Sequence, residues 1–220
     1  HSADDLTHYM RFAMDKGFQV NTHAIGDNAN AQVLDLYQQL IAKTKTKALR
    51  HRVEHAQVLR LADIPRFSEL GIIASMQATH ATSDKSMAHD RLGSERIQGA
   101  YAWRKLIDAN AIIAAGSDFP VEPPNPFYGL HASVTRQDRM NAPEGGWLPA
   151  QKMTRLEALR SFTIDAAFSG HQEHILGSLS QGKKADFILI NKDFFNVKDE
   201  ELWKLEVEET WVNGKRVFKK

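Results

Sequence analysis

The chain has 220 residues, a formal net charge of +1 and no cysteine. That length holds one sizeable core or one and a half small domains, and the missing thiols exclude disulfides, thiolate metal sites and cysteine nucleophiles. The near-zero charge implies no polyelectrolyte partner, and the dispersed basic residues form no stripe that would track phosphates, so nucleic acid is not expected to bind.

Hydrophobic residues at 42% and charged residues at 25% are ordinary for a globular protein. No apolar run approaches the roughly 20 residues needed to cross a bilayer. No signal peptide is visible, but the chain begins at His1 without an initiator Met, so localisation stays open between cytoplasm and periplasm.

In chain order, strand and helix patterns alternate. Ser2 with Asp5 reads as a capping box, Leu6, Tyr9, Met10 and Ala13 recur at helical spacing, and Gly17 stops the run. A first strand covers 18–23. Gly26-Asp27-Asn28 reads as a turn with a capping side chain, and Val33, Leu36, Tyr37, Leu40 and Ile41 form a helical stripe. A second strand ends at His55. Leu61 to Leu70 is a short helix with Pro65 near its start and Gly71 just past its end.

Residues 72–76 read as a third strand, and Thr79 to Ser94 as a polar stretch too long for a plain connector. A helix is expected around Ile97 to Ile107, then a strand running to Asp118. A proline-dense loop, a helix over 127–135 and a polar Gly/Pro loop over 136–151 come next. Thr154 with Glu157 opens a helix to about Phe168. From Leu176 the period shortens. Residues 187–190, 210–212 and 216–218 read as strands, the last two joined at Asn213-Gly214 as a hairpin. Lys215, Arg216, Lys219 and Lys220 are expected to be a solvated strand end. Near-continuous apolar strands alternating with helices indicate a parallel sheet covered on both faces.

Three strand-like runs end in a side chain that can hold a metal: His23, His55 and Asp118. Parallel α/β barrels carry their chemistry at such strand ends. Two neutral imidazoles and a carboxylate suit a divalent ion such as zinc. A lone His in an apolar strand is more often a hydrogen-bonded structural residue, and an Asp after Gly-Ser more often a cap; three in successive units make the joint reading stronger. In the second strand His51, Val53 and His55 share one face, and Arg52 and Glu54 the other. His51 sits about 13 Å back along the strand from His55 at ~3.3 Å per residue. It therefore reads as structural, and Arg52 with Glu54 as an ion pair.

The segments His23-Ala24-Ile25-Gly26-Asp27, Arg52-Val53-Glu54-His55-Ala56-Gln57, Ser75-Met76-Gln77-Ala78-Thr79-His80-Ala81 and Gly116-Ser117-Asp118-Phe119-Pro120 resemble the amidohydrolase superfamily, and most closely its amidohydrolase-3 branch. Gly177-Ser178-Leu179 and Gly182-Lys183-Lys184-Ala185-Asp186-Phe187 are similar to that superfamily's return to its small sandwich. The resemblance implies an α/β chain forming the C-terminal half of a (β/α)₈ TIM-like barrel, strands five to eight, over residues 1–173. Residues 174–220 would then supply part of a β-sandwich domain. It implies hydrolysis of non-peptide C–N bonds in a small amide-type substrate by metal-activated water. His23, His55 and Asp118 would be ligands to one or two divalent ions, zinc foremost, with Asp118 also the general base. His80, Gln77 and Asp84 would contact the substrate.

The family's first-strand His-x-His pair occurs nowhere in this sequence. The expectation is therefore a piece of a longer enzyme, inactive or metal-poor on its own. Its missing N-terminal half would be its first partner, and its exposed sheet edges would favour self-association. The alternatives are a non-catalytic, barrel-derived assembly or binding domain, and a nucleotide-binding doubly wound domain. The second lacks the Gly-rich fingerprint after a first strand.

Overall fold

The structure, a computed structural model, describes residues 2–220. Contacts divide the chain into two compact units. One comprises residues 1–76 and 86–114, the other 77–85 and 115–220.

The first unit contains a four-stranded sheet in the order β1 (Asn21–Ala24), β2 (Arg52–His55), β3 (Ile73–Met76) and β4 (Ile113–Ala115). The β1–β2 and β2–β3 pairs are parallel, with Ala24 opposite His55 and Arg52 opposite Ile73. Sequence order equals spatial order, as right-handed strand–helix–strand crossovers produce. The covering helices are α1 (Ala3–Asp15), α2 (Asp27–Thr44), α3 (Ile64–Leu70) and α5 (Trp103–Asp108), with α1 against α2, α2 against α3, and α3 against α5.

Local chemistry accounts for their ends. The Ser2–Asp5 capping box opens α1 as expected, and Gly17 takes the left-handed φ of 78° that ends it. Pro65 sits in the first turn of α3 and Gly71, at φ 69°, closes it. On α2 the buried stripe is Val33, Leu34, Tyr37, Leu40 and Ile41. Leu34 takes the place expected for Leu36, which is half-buried instead. Asp27 is the first helical residue rather than a cap, and its carboxylate pairs with Arg96 Nε at 2.7 Å. Val53, Phe67, Ala74, Trp103 and Leu106 have no exposed surface and form the core; each large side chain among them is stabilised by about 1.5–3 kcal/mol through burial.

The polar stretch after β3 is a helix, α4 (Ala78–Arg96), interrupted at Gly93 where φ is 71° and ψ 177°. Its sequence has no apolar stripe, which is why periodicity did not reveal it. The helix expected around 97–107 is also broken, into a 3₁₀ turn over Ile97–Gly99 and α5. Backbone bonds to the 57–59 segment accompany the break: Gly99 O accepts from Leu59 N–H at 2.9 Å, and Tyr101, at φ 48°, donates its N–H to Gln57 O at 2.6 Å. A Cβ at Gly99 would lie 1.8 Å from the Leu59 carbonyl oxygen, which leaves that backbone room only for glycine.

The second unit packs α6 (Pro126–Thr135) against α7 (Arg155–Phe162) and against a 3₁₀ segment over 199–204; α8 (Ile164–Ser169) follows α7 after a break at Thr163. The capping box of Thr154 and Glu157 is present. An antiparallel three-stranded sheet, β5 (Phe187–Ile190), β6 (Val207–Val212) and β7 (Lys215–Lys219), completes it. Asn213 and Gly214 both have positive φ, as the expected two-residue hairpin turn requires. β7 is exposed throughout; its Arg216 and Lys219 pair with Glu209, and Lys220 just past its end pairs with Glu206.

Candidate metal centre

His23 lies on β1, exposed, and His55 ends β2, half-buried. Register places His23 opposite Glu54 and Ala24 opposite His55, so strict alternation would send the two imidazoles to opposite faces. His55 escapes that alternation because its backbone turns left-handed at φ 79°, followed by Ala56 at φ 46°. Its ring then meets His23 edge-on, with centroids 4.6 Å apart and planes at 74°. Two consecutive non-glycine residues with positive φ cost on the order of 1–3 kcal/mol each, and such strain gathers at functional sites. Ala56 N–H donates to Ala24 O at 3.1 Å and Val58 N–H to Ile25 O at 2.9 Å, which holds the turn in place.

His51 and the Arg52–Glu54 pair stand as the sequence suggests. His51 is fully buried, its Nδ1 accepts from Val20 N–H at 3.0 Å, and its ring stacks on Tyr37 at 5.4 Å. Burial pushes its pKa down to about 4, so the imidazole is neutral. Arg52 Nε lies 2.9 Å from Glu54 Oε1.

In the second unit Asp118 follows β4 by three residues, exposed, with φ 59°. His80 is buried in the first turn of α4, and its Nε2 lies 3.7 Å from Asp118 Oδ2. The structure thus brings the expected site residues together in two pairs, His23 with His55 and His80 with Asp118. Gln77 is buried at the start of the strand-to-helix turn, and Asp84 is half-buried one helical turn beyond His80. Two adjacent imidazoles at strand ends, with carboxylate and imidazole side by side elsewhere, fit the donor set of a zinc-like cation.

Around the His80 end the structure adds residues the motifs did not flag. Lys85 pairs with Asp138 at 2.5 Å. Burial pushes the Asp138 carboxyl up, but Lys85 and the N–H groups of Ala142 and Met140 outweigh it and hold the carboxyl below the usual range. His131 is buried and hydrogen-bonded to Asn141 Oδ1 at 3.1 Å, with burial lowering its pKa. The sequence marks their positions only as a polar stretch, a helix and a polar Gly/Pro loop, with nothing to fix their spatial partners.

Against this geometry, comparison with known proteins decides the family. The amidohydrolase family profile, of the amidohydrolase-3 type, matches residues 1–218. The chain belongs to the amidohydrolase family. It is 35% identical over 216 residues to Protein LONG AFTER FAR-RED 3 of Arabidopsis thaliana, covering 98% of this chain and 36% of that one. It is 33% identical over 221 residues to the putative amidohydrolase YtcJ of Bacillus subtilis, covering 100% of this chain and 41% of that one. A crystal structure of an uncharacterized metal-dependent hydrolase from Pyrococcus horikoshii superposes with a TM-score of 0.76 at 27% identity, over 90% of this chain and 39% of that one. This amidohydrolase chain therefore spans about two fifths of the length of the proteins it matches. Its parallel sheet and helices are those of part of an amidohydrolase barrel.

Proposed function

We propose that this chain supplies part of the metal site of a hydrolase that cleaves C–N bonds of small, non-peptide amides. The observation that carries the reading is the His23–His55 pair, two imidazoles meeting at the ends of adjacent parallel strands in a member of the amidohydrolase family. On this reading β1 to β4 are barrel strands five to eight, residues 1–173 are the partial barrel, and residues 174–220 belong to a sandwich domain.

His23, His55 and Asp118 would hold the divalent cation, zinc foremost. A cation held there supplies Lewis acidity toward a carbonyl and a lowered water pKa. The chain's own groups do the rest. Asp118 accepts the proton of the attacking water and returns it to the leaving nitrogen, which departs as a neutral amine. His80, whose Nε2 lies 3.7 Å from that carboxylate, would contact the substrate and offer a donor to the oxygen on which charge develops. Gln77, just past β3, and Asp84, on α4, would contact the substrate. Because no His-x-His pair occurs in residues 1–220, this stretch alone is inferred to bind metal weakly and to lack turnover.

Metal analysis tests the assignment. In the natural full-length protein, His55→Ala should lower bound zinc at least tenfold while leaving the fold intact by circular dichroism. Unchanged stoichiometry would remove His55 from the site.

A further inference from the structure

Beside His80 the second unit carries a small polar pocket that the proposed reaction does not use. Its volume is about 150 Å³, and its walls include Thr79, Lys85, Glu122, Tyr128, His131 and Arg139. Thr79 immediately precedes His80 on α4.

The wall formed by residues 137–147 is heavily braced. Arg136 is fully buried and donates from Nε to Trp147 O at 2.8 Å, while Trp147 N–H donates back to Arg136 O at 2.9 Å. The Arg136 guanidinium also lies 5.1 Å from the Trp147 ring centroid. Gln137 Nε2 donates to Asn141 O and Pro143 O at 2.8 and 2.9 Å. Asp138 Oδ1 accepts from Met140 N–H and Ala142 N–H at 2.8 and 3.1 Å. A loop fixed this thoroughly presents its remaining side chains at low entropic cost to a ligand.

The hydrogen-bonding groups left unmatched in this pocket are mostly donors. Asp138 has both oxygens engaged, one by Lys85 and one by the loop backbone. Lys85 also donates to Thr82 O at 3.0 Å, which leaves its ammonium one further N–H. Glu122 Oε1 accepts from Ser83 Oγ at 2.5 Å, so one Glu122 oxygen remains. Arg139 stands apart. It is exposed, lies over the Tyr128 ring at 4.6 Å, and makes no ion pair among the described residues. Stacking orients a guanidinium while leaving its N–H donors available, and that fork matches a carboxylate. Thr79 adds a hydroxyl that is buried without a hydrogen-bond partner, an arrangement that is costly unless something completes it.

We propose that this pocket binds a carboxylate substituent of the substrate, with Arg139 as the principal contact and Lys85, Tyr128 and Thr79 as further donors. The substrates of the proposed hydrolysis would then be small amides bearing an acid group. That last step rests on the hydrolase reading; the carboxylate site does not.

The test uses the natural protein stripped of metal by chelation, so that a carboxylate has no cation to bind. Propionate and its uncharged isostere propionamide are titrated by calorimetry. Propionate should bind saturably and at least tenfold more tightly than propionamide. Arg139→Ala should abolish that preference without changing Tm, whereas Arg91→Ala, an exposed charge elsewhere on α4, should leave it intact. Equal binding of the two probes, or equal losses in Arg139→Ala and Arg91→Ala, overturns the carboxylate pocket. Propionate binding in a protein that hydrolyses no amide when reloaded with zinc would overturn the reaction and spare the pocket. Amide hydrolysis indifferent to a carboxylate substituent would overturn the pocket as a substrate site and spare the reaction.

Discussion

At the scale of single residues, the two histidines of β2 show how one strand separates structure from chemistry. His51 has no exposed surface and spends its Nδ1 lone pair on Val20 N–H, while His55 reaches the strand end. The distance along a strand made that division legible in advance. The left-handed turn at His55 was not legible, because a positive φ in a non-glycine residue leaves no composition signal. The buried imidazole has a consequence for stability. Its folded pKa of about 4 lies below the ordinary 6.5, so above pH 6.5 both folded and unfolded chains hold it neutral. As pH falls from 6.5 toward 4 the unfolded chain binds the proton first, and stability is lost across that window. The loss is on the order of 3 kcal/mol once pH is below both values. Urea midpoints measured from pH 7.5 to 4 should therefore fall, and His51→Gln should flatten that part of the curve. An unchanged slope in the variant would show that other groups set the acid sensitivity.

At the scale of elements, ends were easier to read than interiors. The capping boxes at Ser2 and Thr154, the proline in α3, its closing glycine and the Asn213-Gly214 hairpin were all visible as local chemistry. What escaped was α4, whose face is polar all round, the break after Gly99, whose backbone meets the distant Leu59, and the break at Thr163. Two substitutions separate a cap from a steric requirement. Thr154→Ala removes the hydroxyl that accepts from Glu157 N–H and should cost about 1 kcal/mol in urea denaturation. Gly146→Ala should cost more, roughly 1–3 kcal/mol from the strained φ alone. Gly146 has φ 91°, and a Cβ there would lie 2.2 Å from Thr135 O. If Gly146→Ala proves the milder of the two, the 137–147 loop is not held as tightly as its hydrogen bonds imply.

At the scale of the whole chain, the alternation of apolar strands with helices was enough to predict the parallel sheet and its helices, and four strand-end motifs were enough to name the amidohydrolase family. The pocket around Arg139 was invisible in sequence because its partners lie on segments far apart: Lys85 on α4, Glu122 after β4, and Asp138 and Arg139 beyond α6. The proposed role of His23, His55 and Asp118 is a metal-dependent hydrolysis of C–N bonds. The most direct measurement is hydrolysis of a panel of small N-acyl amines by the natural full-length protein, before chelation, after chelation, and after zinc is restored. Turnover should disappear with the metal, return on stoichiometric zinc, and fail to return in His55→Ala. Hydrolysis that continues undiminished in the chelated protein would contradict it.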